Sequence, residues 1–261
     1  PYVDGAKYKV VNNTGVYLLK LSKDGKEDFY TKIVTKTEIQ PLLKAVSKGA
    51  ALGSKDKLWI EDVVFDGDEI VVISEMFRKN FNPKPMAFQT PRDLITGKWI
   101  GDINYRDQNG KAQKVTFEIM DYILFKFTTN GELKKIKPIA KDQYNKLTVY
   151  YPYVGLYGMS MASVVDRLGW FDYSFTTELA DGERVMVCSN NAEARKPQVF
   201  TYGLKGNFTK SEINLKQDAK LNLDEGRVSY FKVMRNEGSK IGVAYYQRKL
   251  KRITVNVESL F

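Results

Sequence analysis

Two short phrases alternate along this chain, and that alternation constrains the fold more than any other feature. The first is VYLLKLSKDGKEDFYTKI, from Val16 to Ile33. It returns as YILFKFTTNGELKKIKPI, from Tyr122 to Ile139, and more faintly as VFTYGLKGNFTKSEINL, from Val199 to Leu215. Asp24-Gly25 and Asn130-Gly131 stand 106 residues apart. At that offset Lys20 falls on Lys126, Ile33 on Ile139, and Leu18, Leu19 and Leu21 on Leu124, Phe125 and Phe127. An Asp-Gly or Asn-Gly pair between apolar runs is a strong hairpin signal, because both turn residues tolerate positive φ.

The second phrase also has three copies. WIEDVVFDGDEIVVISEMF (Trp59 to Phe77) turns at Asp66-Gly67. FDYSFTTELADGERVMVCSN (Phe171 to Asn190) turns at Asp181-Gly182, and RVSYFKVMRNEGSKIGVAYYQRK (Arg227 to Lys249) at Glu237-Gly238. Each runs strand, acidic-Gly turn, then a very apolar strand. One hairpin of each type makes a four-stranded antiparallel unit, and repeated units of this kind predict propeller blades. Continuous runs such as EIVVI and RVMVCS are expected at the innermost strand of a blade, buried on both faces.

The expected fold is therefore all-β: a β-propeller-like array of four-stranded antiparallel blades, incomplete as a ring, with one or two short helices. It reads as a single domain or fragment over 1–261. Within it, 16–33 is a partial blade, 57–143 a blade carrying an insertion over 78–121, 170–216 a blade, and 227–261 a partial blade ending in KRITVNV. The insertion contains Pro83, Pro85 and Pro91, which forbid a central strand. It ends on a further hairpin around Asn109-Gly110, and long excursions of this sort often carry binding. Two whole and two partial blades cannot close a ring. The chain also starts PYVDG without Met, so a processed protein, or the ordered part of a longer one, is expected. Thr37 to Gly49 predicts one helix, with Leu42, Leu43 and Val46 on its apolar face. Tyr157 to Gly169 predicts another, with Met161, Val164, Val165 and Leu168 at helical spacing. Its methionines read as core filler rather than metal ligands.

Composition narrows the chemistry. The chain has no histidine and one cysteine, Cys188. Ser-His-Asp and Cys-His catalysis, zinc sites and internal disulfides are excluded. No phosphate loop or dinucleotide fingerprint occurs. No catalytic, metal or cofactor-binding residues are assigned, and no cofactor is expected. Carboxylates remain, at Glu61-Asp62, Asp66-Asp68-Glu69, Asp166-Asp172 and Asp224-Glu225. A carboxylate pair can hydrolyse glycosides, although Asp-Gly-Asp-Glu at a hairpin tip is first of all turn chemistry. The net charge of +10 is carried by scattered lysines, which protect strand edges. Without a helix-based or RNP-type motif they argue poorly for nucleic acid. No apolar run is long enough for a membrane span. Aromatics beside polar groups, in YYPY, WFDY and YYQR, point to sugar or peptide binding. The candidate ligand residues are Tyr153, Trp170, Asp172, Tyr246 and Arg248.

RDLITGKWIGD (Arg92 to Asp102), VTFEIMDYILFKF (Val115 to Phe127), FDYSFTT (Phe171 to Thr177) and LNLDEGRVSYFKVMRNEG (Leu221 to Gly238) resemble an uncharacterised family of exported Bacteroidota proteins with β-propeller-like repeats. The resemblance implies export to the periplasm or cell surface, with no site residues to carry over. The expectation is an exported, non-catalytic binding or scaffold module. A protein partner or a glycan would be engaged at the propeller face or the 78–121 insertion, with an outer-membrane complex as one setting. The alternative is a carboxylate-based glycan hydrolase or lyase on the same scaffold.

Overall fold

The computed structural model describes residues 15–46, 56–81, 115–141, 145–149, 158–167, 171–190, 198–205, 208–213, 215, 228–236, 239–247 and 250–260. The architecture is mostly β. Strands β1 (Gly15–Leu21) and β2 (Glu27–Val34) form a two-stranded sheet, followed by a π-type turn over Thr35–Ile39 and helix α1 (Gln40–Val46). A second sheet runs in the order β3 (Asp56–Asp66), β4 (Glu69–Phe81), β5 (Val115–Thr128), β6 (Leu133–Ile139). Strand β7 (Asn145–Val149) pairs with the first half of β5. Helix α2 (Gly158–Arg167) precedes a third sheet of β8 (Tyr173–Glu178), β9 (Arg184–Asn190), β10 (Gln198–Gly203) and β11 (Lys210–Ile213). A fourth contains β12 (Val228–Arg235), β13 (Lys240–Gln247) and β14 (Arg252–Ser259). Every pairing among the described strands is antiparallel. Two four-stranded meanders thus arise where the two phrases meet.

Strand pairing extends further than the proline-bearing excursion predicts. Strands β4 and β5 pair from Glu69↔Thr128 through to Phe81↔Val115, so 78–81 and 115–121 belong to the sheet. Residues 82–114, with the three prolines and Asn109-Gly110, lie outside the described residues. The position of the apolar runs also differs from expectation. EIVVI and RVMVCS form β4 and β9, the second strand of their sheets, and β3 and β8 take the edges. A strand with neighbours on both sides and a sheet on each face has no solvated side chain, which explains the unbroken apolar run.

The sheets stack face to face in chain order. Val16, Ile33, Ile39 and Leu43 pack on Ile70, Val72, Ile123, Phe125 and Phe127, joining the first sheet and α1 to the second. Val71, Ile73, Tyr122 and Leu124 face the other way, onto Met186, Cys188 and Tyr202 of the third sheet. Val185, Val187 and Val199 then meet Phe231, Val233, Ile241, Val243 and Tyr245 of the fourth. Period-two alternation along β4, β5 and β9 divides each strand between two cores. Phe208 adopts a left-handed backbone, φ 57, and sets its ring in the second of these cores, with the Lys126 ammonium 5.1 Å from its centroid.

The hairpins differ from the two-residue reading of their sequences. In β1–β2, β5–β6 and β8–β9 the same pair of backbone bonds recurs. Ser22, Thr128 and Leu179 donate to Lys26, Glu132 and Glu183, while Gly25, Gly131 and Gly182 donate back. Each loop therefore has three residues, and only its glycine takes positive φ: 81°, 85° and 78°. This is the three-residue loop with a terminal left-handed glycine, so Asp24, Asn130 and Asp181 need no unusual backbone. Among the described turns only β3–β4 has a two-residue loop, Gly67-Asp68, since Asp66 pairs with Glu69.

Gly25 and Gly131 consequently predict unequal effects. A Cβ at Gly25 meets nothing, whereas one at Gly131 comes within 2.5 Å of the Phe29 ring and 2.7 Å of Thr31 Oγ1. Gly25→Ala is expected to cost about 1–2 kcal/mol from its backbone alone. Gly131→Ala should cost clearly more, because the first sheet must also shift; denaturant midpoints of the two variants check this.

The helices also differ in detail. The buried pair is Ile39, at the end of the π-type turn, and Leu43 of α1, four residues apart, and Leu42 is 44% exposed rather than on the apolar face. In α2, Ala162 and Val165 are buried and Val164 only partly so. Side chains of Val46, Met161 and Leu168 lie outside the described residues.

Candidate functional site

A polar run inside an apolar strand opens the site. Strand β4 reads EIVVISEMF, and alternation sends Glu75 into the interface between the second and third sheets, where its side chain is fully buried. An uncompensated carboxylate there would be prohibitive. Two donors meet it from elsewhere. Lys141, just beyond β6, gives its ammonium to Glu75 Oε2 at 2.8 Å and to Asp172 Oδ2 at 3.0 Å. The Tyr173 backbone N–H donates to Glu75 Oε1 at 2.7 Å. Asp121 fixes the backbone that carries the lysine, accepting from the Lys141 N–H at 3.1 Å. The lysine nitrogen also lies 4.3 Å from the Tyr122 ring centroid. One buried cation thus ties β4 and the end of β6 to the first residues of the third sheet.

Around this clamp the side chains are neatly partitioned. Tyr173 donates its hydroxyl to Asp62 Oδ2 at 2.6 Å, and the Ser189 N–H donates to the Asp172 carbonyl at 2.7 Å. Phe171 stacks on Trp59 and meets Phe77 and Phe117 edge-on, while the Trp59 indole donates to Asp166 on α2. Two polar atoms are less well served. Glu61 Oε1 is buried without a hydrogen-bond partner, as is the Tyr122 hydroxyl, whose polar neighbour is the weakly bonding Cys188 thiol.

Protonation follows from burial. Burial would lower Lys141, but the Glu75 and Asp172 charges outweigh it and hold the ammonium above its ordinary range. It is no amine nucleophile. Burial pushes Glu75 up to about 7 against the pull of Lys141. Glu61 is pushed up to about 10, first by burial and then by the Glu75 charge. Both carboxyls therefore keep protons in the folded state that the unfolded chain releases near 4.5. Stability is fully present below that value and declines as pH rises through about 7 and on toward about 10. Glu61→Gln is expected to match the parent at about pH 4 and exceed it at about pH 9, flattening the profile; urea midpoints across pH check the sign.

A separate open groove of about 380 Å³ lies where the first strands of three sheets come close, β8 running beside both β3 and β12. Asp62, Val63, Val64 and Phe65 line one wall, Thr176, Thr177 and Glu178 the other, with Arg184 and Arg235 at the rim. Phe65 is 57% exposed on this edge strand. Glu178 is paired with Arg184 at 3.2 Å, leaving Arg235 without an ion-pair partner among the described residues.

Of the five residues the sequence singles out, two are described. Asp172 is buried in the lysine clamp, not offered to a ligand, because Phe171 and Asp172, just before β8, turn inward beside Glu75. Tyr246 is half-buried on β13, facing away from the core that takes Tyr245. They sit on different sheets and are not brought together. Tyr153, Trp170 and Arg248 lie outside the described residues. Among the acidic clusters, Asp68 stands in solvent and Glu69 is held by Lys126 and Lys134; Asp224-Glu225 are outside the described residues. Among the described residues no three metal-ligating side chains converge, and no helix is long and apolar enough to cross a membrane. Glu75 had a legible signal, a charge inside an apolar run. Lys141 had none, since it follows a strand end like many surface lysines. Comparison with family models, curated proteins and solved structures finds no match for this chain.

Proposed function

We propose that the chain is a non-catalytic binding or scaffold module, built as consecutive blades of a β-propeller, that seats an extended polypeptide segment in the groove along β3, β8 and β12. The groove is the observation that carries this reading. It combines an exposed ring, a sheet-edge backbone and an arginine with no ion-pair partner among the described residues, which suits a segment with one apolar and one acidic side chain. Convergence of the first strands along one side supports the propeller reading, since inner strands line the axis of such a ring. Carboxylate-based glycan hydrolysis fits less well, because Glu75 and Asp172 are both engaged by Lys141. Export, and assembly at the outer membrane, belong to the proposal through the resemblance, and fractionation of native cells tests them.

A photo-crosslinking residue at Thr176, with a control at Lys23 on a remote turn, tests the groove in the native protein. Adducts are expected at Thr176 only, and Arg235→Glu should reduce them about tenfold, because it sets a like charge against the acidic side chain of the segment. Equal labelling at both positions, or none at Thr176, sinks the reading.

A further inference from the structure

Lys141 Nζ touches two carboxylates at once, Glu75 Oε2 at 2.8 Å and Asp172 Oδ2 at 3.0 Å. The three side chains are 5%, 0% and 11% exposed, and the Tyr122 ring covers the nitrogen. Other lysine–carboxylate pairs among the described residues are wetter. Lys20–Asp28, Lys26–Asp24 and Lys134–Glu69 lie in reach of solvent, and Glu69 beside Lys126 is 25% exposed. The backbone also holds each partner in place. Asp121 accepts from the Lys141 N–H, the Ser189 N–H donates to the Asp172 carbonyl, and Glu75 lies within β4, paired on both sides. The Tyr173 N–H occupies Glu75 Oε1, which leaves Oε2 for the lysine.

An amine and a carboxyl fixed in contact react as if at about 10⁵ M or more. Condensation, which bulk water opposes, gains here from a dry site and from loss of charge. Three buried charges become one, because an ammonium and a carboxylate are replaced by a neutral amide. We propose that Lys141 and Asp172 become joined after folding by a side-chain amide bond, with Glu75 as the proton carrier. The ammonium itself does not attack. Glu75 Oε2 first takes a proton from Nζ and passes it to Asp172, which leaves an amine facing a neutral carboxyl. The nitrogen lone pair then forms the bond to Asp172 Cγ. Glu75 takes a second proton from that nitrogen and gives it to the departing hydroxyl, which leaves as water. The third hydrogen stays on the amide nitrogen and Glu75 ends as a carboxylate, so no co-reactant enters. Burial pushes Glu75 up to about 7, where a group that both takes and returns protons works best. The ammonium form of Lys141 dominates, so the bond forms slowly, once the fold has assembled. It closes a covalent loop between residues 31 apart in the chain and ties the second sheet to the third. It does not depend on the groove or its ligand.

The test is the intact mass of the native protein, denatured after prolonged incubation at neutral pH, followed by peptide mapping. The parent is expected to be lighter than its sequence by one water, with a branched peptide carrying Lys141 joined to Asp172. Mapping is essential because ring closure at an Asp-Gly pair such as Asp66-Gly67 also loses a water. Asp172→Asn should form the same bond with ammonia as the leaving group, giving a product of the same mass as the parent's. Lys141→Arg keeps the charge and should retain its full linear mass. Glu75→Gln should slow the bond by about 10²-fold or more, read as the joined fraction at equal times after synthesis. A parent that keeps its linear mass overturns the proposal, whatever the variants do. So does a lost water that maps to other residues, or a Glu75→Gln chain that joins at the parent's rate.

Discussion

Lys141→Met is expected to destabilise the protein by about 3–5 kcal/mol, the loss typical when one partner is removed from a buried charge cluster. The size comes from what stays behind. Glu75 is fully buried and Asp172 nearly so, and without the ammonium each must either take up a proton or remain charged in a dry interface. The midpoint of urea unfolding should fall with little change in slope, since the surface exposed on unfolding is unchanged. Adding Glu75→Gln and Asp172→Asn to Lys141→Met should recover most of the loss, because neutral amides remove the uncompensated charge. If Lys141→Met unfolds within about 1 kcal/mol of the parent, the clamp contributes no more than an exposed ion pair and the second and third sheets are held by apolar contact alone.

Phe77→Ala ranks next, at about 3–5 kcal/mol. Its ring is completely buried, 5.0 Å from Phe117 and edge-on to Phe171. Four aromatic rings, with Trp59, meet there from β3, β4, β5 and the start of the third sheet, so no single neighbour can move in to fill the space. Phe65→Ala supplies the contrast. It removes the same atoms from the same sheet, but its ring is 57% exposed, and its loss should stay below about 1 kcal/mol. Equal losses at the two positions, read from denaturant midpoints, would mean that burial does not control stability in this sheet.

Much of the secondary structure was legible because it rests on local rules. Gly25, Gly131 and Gly182 mark hairpins in the sequence, and the three loops repeat one geometry. Their type was harder to read. An Asp-Gly pair fits a two-residue loop or the end of a three-residue one, and only the register of the flanking strands decides. The same holds for EIVVI. Its apolar run correctly indicates burial on both faces, but edge and centre differ in hydrogen-bonded neighbours, which a run of side chains does not encode.

The candidate sites were far less legible. Asp172 looked like a ligand carboxylate beside aromatic rings, and the fold turns it inward onto a lysine 31 residues away. Glu75 and Lys141 are 66 residues apart, and no local pattern links them. The groove brings together Phe65, Glu178 and Arg235 from three sheets, so its walls exist only once those sheets have packed.

The sequence by itself determined most of the strands, the order of the hairpins and the two four-stranded units, because alternation and turn chemistry act over a few residues. Only the tertiary structure decided which carboxylates are locked, where a groove opens and which apolar side chains stay exposed. Those depend on sheets packing across long separations, where position along the chain no longer predicts position in space.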